Sequence, residues 1–239
     1  MVFIKRTYTV VIIILILFIS SSCGRPVGSE DCINNYLASF PTDKPILQSP
    51  IKILSQTYFD NSHKNSTVTI KYPKILRDGQ EDTQTNQMIR DVINDFIELY
   101  GSNYENLELE MDYQANIYHE RILSILWRGL GNVLDTAHPI NWSFTVNIDL
   151  NDKRQIQLKD IYPINNCMIK ELRDSSKKVD YKEEWLNTYT DDALMGKLEN
   201  SDILFNGTYS FLADDELLII LEAPHVYGDY IELGIPYPF

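Results

Sequence analysis

The strongest constraint on how this chain folds is the way its hydrophobic period switches along its length. Leu107, Leu109, Met111 and Tyr113 alternate with Glu108, Glu110 and Asp112, a two-residue period that predicts a strand with one buried and one acidic, wet face. Trp142, Phe144, Val146 and Ile148 repeat it, as do Val68, Ile70 and Tyr72, where Pro73 is expected to end the strand. Arg121 to Trp127 reads as a more buried strand that loosens at Gly129 and Gly131. Between these lies a different period. Met88, Ile89, Val92, Ile93, Phe96 and Ile97 recur at three- and four-residue steps, predicting a helix over 85–100 with Thr85 as N-cap and Gly101 as stop. Residues 165–200 return to helical spacing through Met168, Leu172, Trp185, Leu186, Leu194 and Leu198, with the charged KKVDYKEE segment joining two helices. Strand patterns at 209–212, 217–221 and 231–235 close the chain. The fold class is therefore α+β: a mostly antiparallel twisted sheet packed by one helix from the N-terminal half and a helical pair from the C-terminal half.

The N-terminus carries a different message. Lys5 and Arg6 precede an unbroken apolar run from Val10 to Ile19, and three serines lead into Cys23. A basic start, a short apolar stretch and small residues at a cleavage point form a secretory signal, and the run is too short for an ordinary spanning helix. An uncleaved anchor and a freely secreted protein stay open as alternatives. The organisation that follows is a signal at 1–22, a Pro- and Gly-punctuated tether at 23–50 and an extracytoplasmic α+β module at 51–239, with two subdomains at about 51–150 and 151–239 as a further option.

Charge and cysteine usage narrow the partners. The 239-residue chain has a formal net charge of −13, and the signal carries basic residues but no acid, so the mature chain is more acidic still. Such a balance disfavours nucleic acid and suits a cationic partner, although simple solubility explains it equally. Beyond Cys23, only Cys32 and Cys167 remain; an oxidising exterior would let them pair, and buried thiols are the alternative. The four histidines are scattered and no C-x-x-C occurs, so neither a metal site nor a cofactor is expected.

Candidate chemistry is sparse. His138, with Asp135 three residues before it, and His225, with Asp229 four residues after it, are the loop histidines; if their loops share one sheet edge, His138, His225 and Asp229 line a common pocket. A structural role in the turn is the plainer reading of His138. There is no G-x-S-x-G or S-x-x-K, and Glu108, Glu110 and Asp112 read as a solvated face rather than a glycosidase pair. No catalytic residue is assigned. Trp127, Trp142, Tyr118, Tyr227 and Tyr230 offer surfaces for a sugar or a protein, with core packing as the alternative for the tryptophans. Trp127, His138, His225, Tyr227 and Asp229 are carried forward as ligand-binding candidates.

Two resemblances add to this. Ser20-Ser21-Ser22-Cys23 resembles the lipobox of bacterial lipoproteins, with Ile19 one place further upstream than the usual aliphatic residue. It implies lipidation of Cys23 and a chain held at the extracytoplasmic face of the cell membrane. Over residues 50–239, landmarks recur in order: Tyr72-Pro73, Leu123-Ser124-Ile125, Ala137-His138-Pro139, Asp149-Leu150, Leu158-Lys159-Asp160-Ile161, and Phe211 through Gly228-Asp229 to Ile235-Pro236. In these the chain is similar to a bacterial extracytoplasmic family of uncharacterised domains. That family occurs in the extracellular part of a lysozyme-sensing anti-sigma factor and beside a peptidoglycan deacetylase domain. Asp135-Thr136 departs from it, standing where the family has a glycine pair. The resemblance implies a binding or sensing module whose partner is a cell-wall glycan or a basic extracellular protein such as lysozyme. A small envelope hydrolase or deacetylase using His138 and His225, and a structural envelope lipoprotein, are the rivals.

Overall fold

The computed structural model describes residues 50–100, 105–134, 136 and 138–237. The signal, the tether up to residue 49, Cys23, Cys32, Gly101, Asp135 and Ala137 fall outside the described residues. Strands β1 (Ile51–Asp60), β2 (Thr67–Arg77), β3 (Gln80–Glu81), β4 (Leu107–Tyr118), β5 (Ile122–Val133), β6 (Ile140–Asp149) and β7 (Arg154–Ile156) form one seven-stranded sheet. Its order is β1-β2-β4-β5-β6-β7, with β3 folded back on β2. Every pair is antiparallel except β2–β4. A parallel pair needs a long crossover, and helix α1 (Thr83–Tyr100) lies in it. Strands β8 (Thr208–Leu212), β9 (Glu216–Glu222) and β10 (Tyr230–Pro236) make a second, antiparallel sheet in the order β10-β9-β8. Between the sheets in sequence come α2 (Leu158–Ile161), α3 (Asn166–Ser176), α4 (Asp180–Leu186) and α5 (Asp191–Glu199). The architecture is α+β, with a mostly antiparallel main sheet. Among the described residues no helix is long and apolar enough to cross a membrane.

The register explains how both faces of β5 and β6 are covered. Trp127 stands opposite Phe144, Ile125 opposite Val146 and Leu123 opposite Ile148. This apolar face meets α1: the Phe96 ring lies on Phe144 (4.6 Å between centroids, 25°), which lies on Trp127 (5.1 Å, 19°). The other face is polar where the second sheet docks. Ser124 Oγ donates to Asn147 Oδ1 (2.6 Å) and accepts from the Leu212 N–H (3.0 Å). Asn147 Nδ2 donates to the carbonyl and hydroxyl of Ser210 (3.1 Å each). These partners make the buried seam between the sheets a satisfied network, which holds the docking in one register. Tyr209, Phe211 and Ile220 join the hydrophobic cluster under α1, while Ile122 of β5 joins the one formed by α2–α5 and the second sheet.

Four local expectations are corrected. Pro73 does not end β2, which runs on to Arg77; β4 pairs only with Thr67–Ile70 and β3 only with Leu76–Arg77, so between them one edge of β2 carries no strand and a residue lacking an N–H is tolerated there. Asp82, not Thr85, caps α1: its Oδ1 accepts from the Thr85 N–H (3.3 Å) while Thr85 itself is buried. Gly129 does not loosen β5, since a Cβ there would lie 2.3 Å from the Glu110 carbonyl oxygen and 2.9 Å from Met111 Cα; glycine lets β4 cross closely. The charged stretch expected to link two helices is itself partly helical, as α4, because Trp185 and Leu186 pack it onto the second cluster.

Candidate functional site

The site is built where β6 loses its outer neighbour. β7 pairs only with Asn147–Asp149, so the first part of β6 has no strand on that side among the described residues. Two connections close over the gap: the α5–β8 loop and the β9–β10 connection, the latter bearing a 3-10 turn at His225–Tyr227. Gly228 and Asp229 both take left-handed backbone (φ +93° and +72°), which reverses the chain sharply into β10.

That reversal brings three sequence candidates together. The His138 and His225 rings lie face to face, 3.5 Å between centroids and 8° from parallel. His225 Nδ1 meets Asp229 Oδ1 at 2.9 Å. Asp229 Oδ2 accepts from the Asn141 N–H (2.8 Å) and from Asn141 Nδ2 (3.0 Å). Burial alone would raise the Asp229 pKa; the hydrogen bonds from the Asn141 N–H, His225 and the Asn141 side chain outweigh it and hold the carboxyl below the usual range. Asp229 is thus ionised at neutral pH and His225 Nδ1 is assigned as the donor, so in the neutral imidazole Nε2 is the acceptor. An oriented imidazole of this kind is suited to accept a proton or a ligand hydrogen bond. Both histidines are exposed, and Val226 between them and Tyr227 is 80% exposed.

Behind this corner lies an aromatic cavity of about 220 Å³. Phe96, Trp142, Phe144, Phe205, Tyr209 and Tyr230 supply its rings; Asn141, Ser143, Glu222 and Asp229 supply polar groups. Asp229 therefore belongs to both the histidine corner and the cavity. Phe205 forms one wall from an unusual backbone position (φ +63°), with its N–H donating to Tyr209 Oη (2.9 Å) and its ring parallel to Phe96 (5.7 Å, 5°). Trp142 stands edge-on to both Phe96 and Phe205. Burial pushes the Tyr209 hydroxyl up to about 12, so it stays protonated as a hydrogen-bonding group.

The remaining candidates fall elsewhere. Trp127 is wholly buried, stacked on Phe144, with Nε1 donating to the Lys71 carbonyl (3.0 Å); it is core, out of a ligand's reach. Tyr227 turns away from the histidines and lies along Tyr181 (6.3 Å, 16°) and against Trp185 of α4. Cys167, half-buried, opens α3, where the Asn165 side chain accepts from its N–H (2.9 Å); Cys23 and Cys32 lie outside the described residues. No group of three or more His, Cys, Asp or Glu with metal-binding geometry occurs among the described residues.

Sequence reading missed Asn141, Phe205 and Glu222. Asn141 and Glu222 stand at strand ends with no distinguishing pattern. Phe205 did carry a signal: a large apolar residue directly before Asn206-Gly207, a turn dipeptide, has no helix or strand face to fill.

No family model and no curated protein matches the chain. Two solved bacterial structures are similar in arrangement. One is a DUF3298 family protein from Pseudomonas aeruginosa, 15% identical, matched over 82% of this chain and 93% of that one with a TM-score of 0.48. The other is a member of the same family from Bacteroides fragilis, 15% identical, matched over 81% and 92% with a TM-score of 0.44.

Proposed function

We propose that this chain is a binding or sensing module without enzymatic activity, held at the extracytoplasmic face of the membrane by lipid on Cys23, and that its ligand enters the aromatic cavity beside His225 and Asp229. The observation that carries this reading is Phe205. A bulky residue in left-handed backbone costs about 1–2 kcal/mol, and such strain is retained at ligand clamps more than at random. Here it is spent on walling a cavity rather than on filling the core. The ligand is a cell-wall glycan or a basic protein such as lysozyme, in keeping with the chain's acidity and with the family it resembles. Cys32 and Cys167 form a disulfide that ties the tether to α3.

Retention of peptidoglycan fragments and of lysozyme on the immobilised chain, at low and moderate salt, tests the reading. Wild type retains one of them, and Phe205→Ala reduces retention; if neither is retained at low salt, both ligands are dropped. Membrane fractionation tests the anchor: Cys23→Ala releases the protein or leaves an uncleaved precursor, and unchanged mass and fractionation would refute lipidation.

The His225–Asp229 pair favours one second reading, a small hydrolase or deacetylase of the envelope using His138 and His225. It predicts a cell-wall activity that His225→Ala abolishes while ligand retention survives.

A further inference from the structure

The geometry points to an organic ammonium group as the chemistry this cavity accepts, with the aromatic rings caging the cation and the Glu222 carboxylate facing it. This rests on the proposal that the cavity is a ligand site and narrows what it takes.

Three observations converge. First, the accessible rings are set at an angle rather than as one flat platform: Trp142 stands 81° to Phe205, and Phe96, wholly buried and stacked on Phe144 and Phe205, backs them. A sugar stacks on a broad flat face, whereas a compact cation gains from several ring faces converging on it. Second, the polar lining accepts rather than donates charge. Among the described residues no Lys, Arg or His lines the cavity, while Glu222 and Asp229 do. Asp229 is already engaged by Asn141 and His225, and no hydrogen bond or ion pair among the described residues engages the Glu222 carboxylate. Arg128, whose charge reaches Tyr230, is held by Glu232 in a bidentate pair (2.7 and 3.0 Å), so it does not cancel Glu222. Third, Glu222 is held against the cavity by backbone geometry. Its N–H donates to the Gly207 carbonyl (2.7 Å), and its Oε2 occupies the space that a Cβ at Gly207 would need, 2.3 Å away. Glycine at 207, with φ +70°, is what lets the carboxylate lie there.

The same ammonium chemistry can come from a quaternary amine, a lysine side chain or a de-acetylated amino sugar. Matched pairs separate the charge from the shape. With the full chain, the indole N–H resonance of Trp142 is followed during titration with choline and its neutral isostere 3,3-dimethyl-1-butanol, with n-butylammonium, and with glucosamine and N-acetylglucosamine. The expected result is that at least one cation shifts Trp142 and that its neutral counterpart binds roughly tenfold more weakly. Glu222→Gln weakens the cation by roughly threefold to tenfold and leaves the neutral compound unchanged. Which cation binds most tightly identifies the source. Equal binding within both pairs, N-acetylglucosamine with glucosamine and the alcohol with choline, would overturn the inference while leaving a ligand cavity in place. No shift of Trp142 by any of the cations would also overturn it. The wider binding reading then stands or falls separately, on retention of lysozyme and peptidoglycan fragments.

Discussion

Phe205 and Asp202 show how single residues in one loop are loaded. Phe205 combines left-handed backbone with a ring that is 38% exposed and stacked on Phe96. Replacing it with alanine removes the ring but keeps the strain, whereas glycine removes both. The usual preference for alanine is therefore reversed: Phe205→Gly is expected to be more stable than Phe205→Ala by about 0.5–1 kcal/mol in urea unfolding. Equal stability would mean that the loop relaxes and the strain is not there. Asp202, also left-handed (φ +60°), keeps part of its surface exposed, yet its carboxylate accepts from Thr145 Oγ1, the Leu158 N–H and both the N–H and hydroxyl of Ser210. Burial raises its pKa to about 6, and these hydrogen bonds offset only part of that rise. The folded carboxyl thus binds its proton more tightly than the unfolded one. As pH falls from 7 through 6 towards 4, this group adds stability, by roughly 2–3 kcal/mol in all. Asp82, Asp149 and Asp229 are shifted the other way and subtract stability only at lower pH. A carboxyl-carbon titration by NMR should place the Asp202 midpoint near 6; a midpoint near 4 would contradict the enclosure.

Elements are held together by close approach as much as by apolar area. The β4–β5 pairing spans Leu107–Tyr118 against Ile122–Val133 without a break, and Gly129 is where β4 comes nearest. Gly129→Ala is expected to cost about 1–3 kcal/mol in unfolding free energy, because the new methyl meets backbone atoms that move only with the strand. A neutral effect would show that the sheet gives way freely. The β5–β6 end carries a second constraint: Asp149 is 2% exposed and accepts from Arg121 Nη2 (2.8 Å) and Nε (3.1 Å). Burial would raise its pKa, but Arg121 and the N–H groups of Asp152 and Asn151 prevail and lower it. Arg121→Ala is therefore expected to destabilise by about 3 kcal/mol at pH 7, and by less in acid once Asp149 takes up a proton.

The extent to which these elements were legible follows from the same physics. Strict alternation in β4 and the three-four spacing of α1 are signals of one buried face, and both survive in the structure; β6 is a strand as expected, but Ser143, Thr145 and Asn147 on its polar side are buried too, because the second sheet docks there. Pro73 misled because its cost depends on which neighbour a strand lacks, a fact of sheet order and not of local sequence. Gly129 misled for a similar reason: glycine marks flexibility or close approach alike. Asp180–Leu186 was hidden by its charges, since only Trp185 and Leu186 face inward. The histidine corner was partly legible, as two loop histidines and an aspartate, but Asn141, on the polar side of β6, completes it, and Phe205 walls the cavity behind it from a loop without periodicity.

At the scale of the whole molecule, the docking of two sheets creates the site. The polar seam of Ser124, Asn147 and Ser210 fixes the second sheet against β5 and β6. The early end of β7 then leaves β6 uncovered beside it, and the Phe205 loop and the Gly228-Asp229 reversal enclose what remains. A chain of net charge −13 bearing such a cavity should bind a cationic partner more weakly as salt rises, because exposed charges beyond about 8–10 Å are screened at physiological ionic strength. Ligand contact in the cavity itself should be less sensitive. The three tryptophans make this separable, since Trp142 lines the cavity, Trp127 is buried in the core and Trp185 projects from α4 onto Tyr189. The most direct measurement is to follow all three indole N–H resonances while lysozyme or peptidoglycan fragments are added to the full chain. Binding at the cavity predicts that Trp142 shifts with saturation while Trp127 and Trp185 hold still; binding that leaves Trp142 unmoved, or moves only Trp185, would contradict it.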